Sequence, residues 1–275
     1  MTRNRDELVT HAREAIRLGS KSFAAASRLF DRTTRERAWL LYAWCRRCDD
    51  IADAQDNGGR LGDQSDPHTR LAAIRMLTDR AFEGGETGEP SFDALGVVAR
   101  ETGLTPAMAD DVIAGFALDT NGWEPVTEAD LMRYCFHVAG AVGVMMAVVM
   151  GVSPQDDETL DRACDLGLAF QLANIARDVE EDYAGGRCYL PANWLKDMGI
   201  PREKLLDPEF RPGLVRIAAR LADLAEVHER AARVGARRLG FRQRWAVLSA
   251  AGIYGAIARQ VRKKGAHAWD SRVYT

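Results

Sequence analysis

Two short acidic stretches carry residues whose type and spacing could bind a divalent cation. In the first, Asp49 and Asp53 are four residues apart, so on a helix both carboxylates would lie on one face. Like charges at this spacing destabilise a helix slightly, which is a reason to expect a cation between them. Arg46 and Tyr42 occupy earlier positions of the same stripe. The first stretch is therefore a candidate cation site.

The second stretch extends this pattern over two helical turns. Asn174, Asp178 and Asp182 follow one another at intervals of four residues, and Gln171 lies three residues before the first of them. Arg177 adds a fixed positive charge beside the acids. Carboxylate and amide oxygens are the ligands that Mg²⁺ or Mn²⁺ prefers, together with water and substrate phosphates. This stretch is a second candidate cation site.

The two stretches together predict a cleft in which Mg²⁺ holds a diphosphate and helps a carbon–oxygen bond to ionise. A single acidic stripe is equally well explained as a solvated helix face. Both stripes, however, are embedded in apolar and aromatic sequence. That context favours the metal-binding interpretation.

Helices are the elements predicted to position these residues. Apolar residues recur at helical spacing in nearly every segment, and no segment shows the alternation of a strand. The 9 prolines fall between segments or in the first turn of one. The predicted helices span residues 5–18, 21–29, 33–56, 68–82, 91–102, 106–119, 127–151, 156–183, 192–197, 211–237 and 241–265. We expect them to pack around a common interior as one all-α domain over residues 1–275.

Composition and charge narrow the class of protein. The chain has 275 residues, of which 47% are hydrophobic and 28% charged, as in a folded globular protein. Basic and acidic residues number 37 and 40, a balance that argues against a nucleic-acid partner. An odd number of cysteines and the lack of a secretory signal predict reduced thiols in the cytoplasm. Cys45 and Cys48 are interpreted as structural, because no further ligands complete a zinc site.

The motifs, in their order, resemble those of the squalene/phytoene synthase family, and most of all its bacterial phytoene synthases. Residues 49–53 resemble the first aspartate-rich motif of that family, and residues 171–191 resemble the second motif with its following loop. Residues 134–143 resemble its tyrosine-bearing helix, and residues 20–23 and 269–273 fit its opening and closing segments. The resemblance covers almost the whole chain.

The resemblance implies an all-α isoprenoid synthase bundle with a central hydrophobic cavity. The implied reaction is a Mg²⁺- or Mn²⁺-dependent prenyl transfer in carotenoid biosynthesis, in which two geranylgeranyl diphosphates condense head to head to phytoene. It passes through prephytoene diphosphate, a cyclopropylcarbinyl intermediate, and releases both diphosphates. Phytoene forms without reduction, so no NADPH is expected.

The resemblance also implies roles for individual residues. The metal ligands would be Asp49, Asp53, Asn174, Asp178 and Asp182. The residues that contact or line the diphosphate site would be Ser20, Lys21, Ser22, Tyr42, Arg46, Gln171 and Arg177. Near the reacting centre would lie Tyr134, Tyr254 and Arg272, where aromatic faces can stabilise carbocations. The catalytic set would be Asp49, Asp53, Tyr134, Asp178 and Asp182.

Some positions carry a second interpretation or depart from the family pattern. Tyr134 and Tyr254 are equally well explained as core tyrosines. Gly19 stands where some relatives have a polar residue, and Ala173 stands where a hydroxyl residue is common. Neither departure touches the metal stripe.

Three other functions remain open. A squalene or dehydrosqualene synthase would use farnesyl diphosphate on the same scaffold; squalene formation would need a reduced nicotinamide, for which no glycine-rich fingerprint is present. A chain-elongating prenyltransferase would usually have differently spaced acidic motifs. A non-catalytic helical scaffold would be free to lose its metal ligands, and here all of them are present.

The longest apolar run, residues 138–152, is about fifteen residues long, whereas a membrane-spanning helix needs roughly twenty. A buried core helix is the better prediction, and the resemblance would make it a wall of the prenyl-chain tunnel. Gly140, Gly143 and Gly151 fit either close helix packing or space for a prenyl chain, and both explanations stay open.

A basic patch near the C-terminus consists of Arg259, Arg262, Lys263 and Lys264. It is either a solvated helix face or a contact with a membrane surface, since phytoene is insoluble in water. The chain is otherwise expected in the cytoplasm, with a peripheral place at the inner face of the membrane as the alternative. Other enzymes of the carotenoid pathway are the protein partners that the resemblance allows.

Overall fold

A computed structural model describes residues 3–55, 62 and 65–273, with the side chains of Lys21 and Ser22 outside that description. Every regular element in these ranges is helical and none is a strand, which confirms the predicted all-α class. The α-helices are α1 (Arg5–Gly19), α2 (Lys21–Ser27), α3 (Arg32–Ala52), α4 (Pro67–Phe82), α5 (Pro90–Thr102), α6 (Pro106–Thr120), α7 (Glu128–Cys135), α8 (Ala141–Val149), α9 (Asp157–Ala184), α10 (Ala192–Asp197), α11 (Arg211–Gly235) and α12 (Phe241–Lys264).

Side-chain caps explain where several helices begin. Asn4 accepts a hydrogen bond from the Glu7 N–H at 2.9 Å, and the Glu7 carboxylate accepts one from the Asn4 N–H at 3.0 Å, a capping box. Thr127 and Asp130 form the same arrangement at the start of α7. Such caps satisfy amide groups that a helix start leaves unpaired, which is why the predicted starts agree closely with the structure.

The described chain divides into two compact units, and the prediction of a single domain stays a prediction. The first unit consists of Met1–Asn121, Val144–Leu160 and Arg238–Val247; the second consists of Gly122–Gly143, Asp161–Arg237 and Leu248–Thr275.

In the first unit, α3 packs against α1, α4 and α5. Trp44 of α3 is fully buried, and its indole N–H donates to the Thr78 hydroxyl of α4 at 3.2 Å. At the other end of the helix, Glu101 of α5 accepts hydrogen bonds from Arg5 and Arg37. This packing fixes the helix that carries the first acidic stretch.

In the second unit, α9 lies at backbone contact distance from Gly140, just before α8, and from Gly143 in the first turn of α8. A Cβ on Gly167 would lie 2.8 Å from the Gly140 Cα, and one on Gly140 would lie 2.9 Å from the Cys164 Sγ. A Cβ on Gly143 would press on the Ala163 backbone. Close helix packing therefore explains Gly140 and Gly143, one of the two explanations left open by the sequence.

The helical run predicted over residues 127–151 is interrupted by one π-helical turn, Phe136–Gly140. By length and composition alone, Glu128–Val149 is the one candidate membrane span among the described residues, a test that core helices also pass. Ala141, Met145 and Val148 are buried inside the fold. Their burial supports the core-helix prediction. Gly151, with φ +95°, lies beyond the end of α8 in the left-handed region.

Candidate active site

Arg46 lies at the centre of the first acidic cluster. Its guanidinium is 3.1 Å from the Asp49 carboxylate and 2.7 Å from that of Asp50. The Asp50 side chain is buried, whereas that of Asp49 is 44% exposed. Arg46 therefore holds both carboxylates in place. Of the two aspartates, Asp49 is the one that solvent reaches.

Asp53 lies just beyond α3 and not inside it, because the helix predicted to residue 56 ends at Ala52. It is the C-cap, with φ −89° and ψ 2°. Its N–H still donates to the Asp49 carbonyl at 3.0 Å, so the four-residue step along the chain keeps its helical hydrogen bond. The predicted one-turn spacing of the two acids is present in the backbone.

Gly19 makes room for the hydroxyl of Tyr42. A Cβ at this position would lie under 3.0 Å from the Tyr42 Oη, so the departure from the family pattern has a packing reason. Phe23 meets the Tyr42 ring edge to face at a centroid distance of 5.7 Å. Burial raises the pKa of Tyr42 to about 12, so this hydroxyl keeps its proton at neutral pH.

Ser20 acts as the N-cap of α2, where its hydroxyl accepts a hydrogen bond from the Phe23 N–H at 3.3 Å. Lys21 and Ser22 follow it in the predicted diphosphate segment. Their side chains lie outside the described residues, so their predicted contacts stay predictions.

Asn174 has a buried side-chain oxygen, Oδ1, with no hydrogen-bond partner among the described residues. Leaving such an acceptor unsatisfied costs about 1–3 kcal/mol, so its retention needs a reason. It lies at the first position of the metal stripe on α9, and an amide oxygen is a suitable ligand for a hard cation. This orphaned atom fits the predicted metal site.

Asp178 is held between two arginines. Arg177 donates from Nε and Nη2 to its two oxygens at 2.6 and 2.5 Å, and the Arg272 Nη2 lies 3.5 Å from Oδ1. Arg272 also donates to Glu181 at 2.5 Å. The structure thus brings the predicted C-terminal arginine to the second acidic motif.

Asp182 lines a small pocket with Arg187 and Tyr189 of the following loop. Gln171 is half-buried at the other end of the stripe. Within the part of the chain that the structure describes, no three His, Cys, Asp or Glu side chains converge on a metal-sized space. The fit to a cation therefore rests on the all-oxygen donor set and on Asn174.

Tyr134 is buried between two aromatic rings. Trp123 stacks on it at 5.5 Å and 18°, and Tyr189 stacks on it at 4.7 Å and 20°. Arg133 lies over the outer ring, 5.9 Å from the Trp123 centroid. With 3% of its surface exposed, Tyr134 is a core residue by burial, and its catalytic role stays a prediction.

Tyr254 of α12 stacks on Phe170 of α9, with a centroid distance of 4.0 Å and an angle of 18°. Phe170 immediately precedes Gln171, the first residue of the predicted diphosphate set on α9. The structure therefore places Tyr254 beside the helix that carries the second acidic stripe.

Comparison with known proteins identifies the family. A model of the squalene/phytoene synthase family matches residues 16–275. The chain belongs to the squalene/phytoene synthase family.

Relatives in this family are similar over nearly the whole chain. The phytoene synthase of Pseudescherichia vulneris is 47% identical, over 98% of this chain and 87% of its own. The 15-cis-phytoene synthase of Pantoea ananas is 46% identical, over 99% of this chain and 88% of its own. Among solved structures, a dehydrosqualene synthase has a TM-score of 0.83 and 28% identity, over 95% of this chain and 88% of its own.

The sequence did not reveal the residues that contact the predicted site residues and fix their positions. Asp50 was passed over although it is the buried partner of Arg46. Trp123 and Phe170 gave no signal, because nothing in their spacing links them to the tyrosines that they stack on. Tyr189 lies in the loop after the second motif, and that position was the available signal.

Two features outside the motifs have structural explanations in this family member. Arg259 donates to Glu229 at 2.8 Å, and Arg262 pairs with Asp223 and Glu226, so the basic C-terminal patch is partly neutralised. Burial raises the pKa of the Cys48 thiol well above its usual value, which makes it a poor metal ligand and supports its structural interpretation.

Proposed function

We propose that this protein is a 15-cis-phytoene synthase, which condenses two geranylgeranyl diphosphates head to head and releases both diphosphates. The observation that carries the proposal is the near-full-length identity to bacterial phytoene synthases. The oxygen donors along α9 support it, because the reaction must separate diphosphate anions from allylic carbon.

The proposal includes a divalent cation, Mg²⁺ or Mn²⁺, at each acidic cluster. Asp49 and Asp53 would hold it in the first unit, and Asn174, Asp178 and Asp182 would hold it in the second. A bound cation supplies charge neutralisation for the departing diphosphate. The unpaired Asn174 oxygen supports the second site.

The chain's own groups have separate tasks in this proposal. Arg177 and Arg272 hold the Asp178 carboxylate in place and present positive charge to diphosphate oxygens. Tyr42 would offer its hydroxyl as a hydrogen-bond donor to a diphosphate oxygen.

Tyr254 stacks on Phe170 with one ring face and presents the other to allylic and cyclopropyl cations, which it stabilises without trapping them covalently. Both ring faces of Tyr134 are covered by Trp123 and Tyr189, so Tyr134 would act through its ring edge or its hydroxyl.

The second candidate is a squalene or dehydrosqualene synthase that acts on farnesyl diphosphate. The fold similarity to a dehydrosqualene synthase favours the shared scaffold, at 28% identity. The higher identity to phytoene synthases favours the longer substrate.

A product assay separates the two candidates. Purified protein is incubated with geranylgeranyl or farnesyl diphosphate, each with Mg²⁺, with Mg²⁺ and a chelator, and with or without NADPH. We expect phytoene from geranylgeranyl diphosphate, abolished by the chelator and unaffected by NADPH. Squalene or dehydrosqualene as the main product would replace the proposed substrate, and activity that survives the chelator would exclude the metal.

The proposal extends to location: the protein lies in the cytoplasm and contacts the inner face of a membrane through the start of α12. Phe241 and Trp245 are 70% and 55% exposed there, with Arg242 and Arg244 between them in sequence. Aromatic rings and arginines are the side chains that bind an anionic bilayer interface. This surface is a better candidate than the partly neutralised C-terminal patch.

Vesicle sedimentation tests the location. Replacing both Phe241 and Trp245 with alanine is expected to weaken binding to phosphatidylglycerol-containing vesicles at least about tenfold, because each ring buries apolar area in the interface. Met76→Ala removes another exposed apolar side chain, on α4, and should leave binding unchanged. Wild-type protein that stays in the supernatant would refute the membrane contact.

A further inference from the structure

Glu229 is a buried carboxylate that no step of the proposed reaction uses. It lies on α11 and is 5% exposed. Its Oε1 accepts hydrogen bonds from the Nε and Nη2 of Arg233 at 2.9 and 2.6 Å, and its Oε2 accepts one from the Nη1 of Arg259 at 2.8 Å. Arg233 is one turn further along α11, whereas Arg259 belongs to α12. The carboxylate therefore joins two helices.

Stability alone is a weak reason to keep such a group. Burying a carboxylate carries a desolvation penalty that its partners offset only with good geometry. Apolar replacements of buried ion pairs are often neutral or stabilising. The ion pairs of Glu229 instead restrict how α11 and α12 can be aligned, because the alignment must satisfy all three hydrogen bonds at once.

The backbone of α12 comes directly against this carboxylate at Gly255. A Cβ on Gly255 would lie 2.5 Å from the Glu229 Cδ and 2.8 Å from its Oε1. A glycine inside a helix makes the helix less stable than an alanine would, so the close approach at Gly255 comes at the expense of helix stability. The Glu229 carboxylate therefore occupies the space that a side chain at position 255 would need.

Tyr254 is the residue immediately before Gly255. Its ring stacks on Phe170 of α9 at 4.0 Å. The rotation of α12 at Gly255 therefore determines where the Tyr254 ring lies beside the second acidic stripe.

We propose that Glu229 is a positioning residue: together with Arg259 and Gly255 it sets the rotation and register of α12, and so holds Tyr254 against Phe170. The inference rests on the proposed function, because Tyr254 affects turnover only if its ring faces the reacting chain.

The first test adds one methyl group to the contact. Gly255→Ala forces a Cβ into the Glu229 carboxylate, and we expect kcat for phytoene formation to fall between about tenfold and a hundredfold, the effect of an error of about 1 Å in placement. The KM for geranylgeranyl diphosphate should change little, because neither Glu229 nor Gly255 belongs to the residues proposed to bind the diphosphate. An unchanged kcat would overturn the inference.

The second test restores the fit. In Glu229→Asp/Gly255→Ala the carboxylate is one methylene shorter, which leaves space for the new methyl group. We expect this double variant to regain most of the kcat lost by Gly255→Ala and to melt at a higher temperature than that single variant. Losses that simply multiply would show that the two residues act independently and would overturn the inference.

The third test asks whether the effect passes through Tyr254. In a Tyr254→Leu background, Gly255→Ala should lower kcat no further, because the ring that it displaces is gone. A full additional loss there would assign the defect to general destabilisation and refute the positioning role.

The matched control removes a different link between the same helices. Arg262 of α12 pairs with Glu226 of α11 at 3.3 Å, without a glycine at the contact. Glu226→Gln should leave kcat within about twofold of wild type, since partly exposed pairs contribute little. If the wild-type protein made squalene or dehydrosqualene, the proposed substrate would be wrong but the positioning role would still be testable. The variants would then be compared by their kcat for that product.

Discussion

Replacing Asp178 with asparagine is expected to lower turnover at least about a hundredfold, the scale of removing one group that stabilises transition-state charge. Asparagine keeps the shape of the side chain but loses its charge and one acceptor oxygen. Arg177, whose side chain is only 15% exposed, then lacks its bidentate partner. We therefore also expect about 1–3 kcal/mol of lost stability, measured by thermal unfolding alongside the rate of diphosphate release.

A neighbouring acid on the same helix provides the control for this substitution. Glu180 pairs with Arg211 at 3.0 Å but lies off the metal stripe. Glu180→Gln removes a carboxylate from an arginine pair in the same way, and we expect turnover close to wild type. Equal losses in the two variants would mean that a broken ion pair, and not a lost metal ligand, explains the effect of Asp178→Asn.

Replacing Gly167 with alanine is expected to destabilise the fold by about 3 kcal/mol or more, at the upper end of overpacking effects. The new Cβ would lie 2.5 Å from the Ala139 carbonyl carbon and 2.8 Å from the Gly140 Cα, and backbone atoms cannot rotate away as a side chain can. In a chain of this size that corresponds to a melting temperature lower by roughly 6–12 °C. Differential scanning calorimetry measures the change.

Gly252 on α12 separates crowding from helix propensity. Among the described residues, no heavy atom beyond its own turn of helix lies within 4 Å of the position that its Cβ would occupy. Gly252→Ala should therefore stabilise the protein by up to about 1 kcal/mol, the gain from replacing a helical glycine. If Gly167→Ala also melted at or above the wild-type temperature, the close helix crossing described above would be wrong.

The helices could be predicted closely because their signals are local. Apolar spacing, prolines and caps such as Asn4 and Thr127 act within one or two turns, so they can be recognised without knowledge of the partner helices. The end of α3 is the largest error: the helix predicted to residue 56 ends at Ala52, and residue 56 itself lies outside the described residues. There Ala54 has a φ of +50°, in the left-handed region, and an alanine gives no sign of that conformation in the sequence.

Only those parts of the candidate site that lie on a single helix could be predicted from spacing. The stripe from Asn174 to Asp182 follows from helical geometry alone, and the structure keeps it on α9. The family resemblance implied only that Arg272 lies near the reacting centre. Its contact with Asp178 could not follow from spacing, because the two residues are far apart in sequence.

The contacts that hold the predicted tyrosines were out of reach for the same reason. Trp123 and Tyr189 lie on opposite sides of Tyr134 in the structure but in separate loops of the sequence. Stacking depends on the paths of the loops and on the rotation of the rings, and neither produces a periodic pattern in the sequence. The pairing of Gly19 with the Tyr42 hydroxyl is likewise invisible until both helices are placed.

The π turn at Phe136–Gly140 means that the helical run around it contains one residue more than a regular α-helix would need. Because an α-helix rotates by about 100° per residue, that extra residue determines the angle between the side that bears Tyr134 and the side that bears Gly140 and Gly143. A chain one residue shorter here could still be continuously helical. It could not, however, both insert Tyr134 between its two aromatic neighbours and press its glycines against α9.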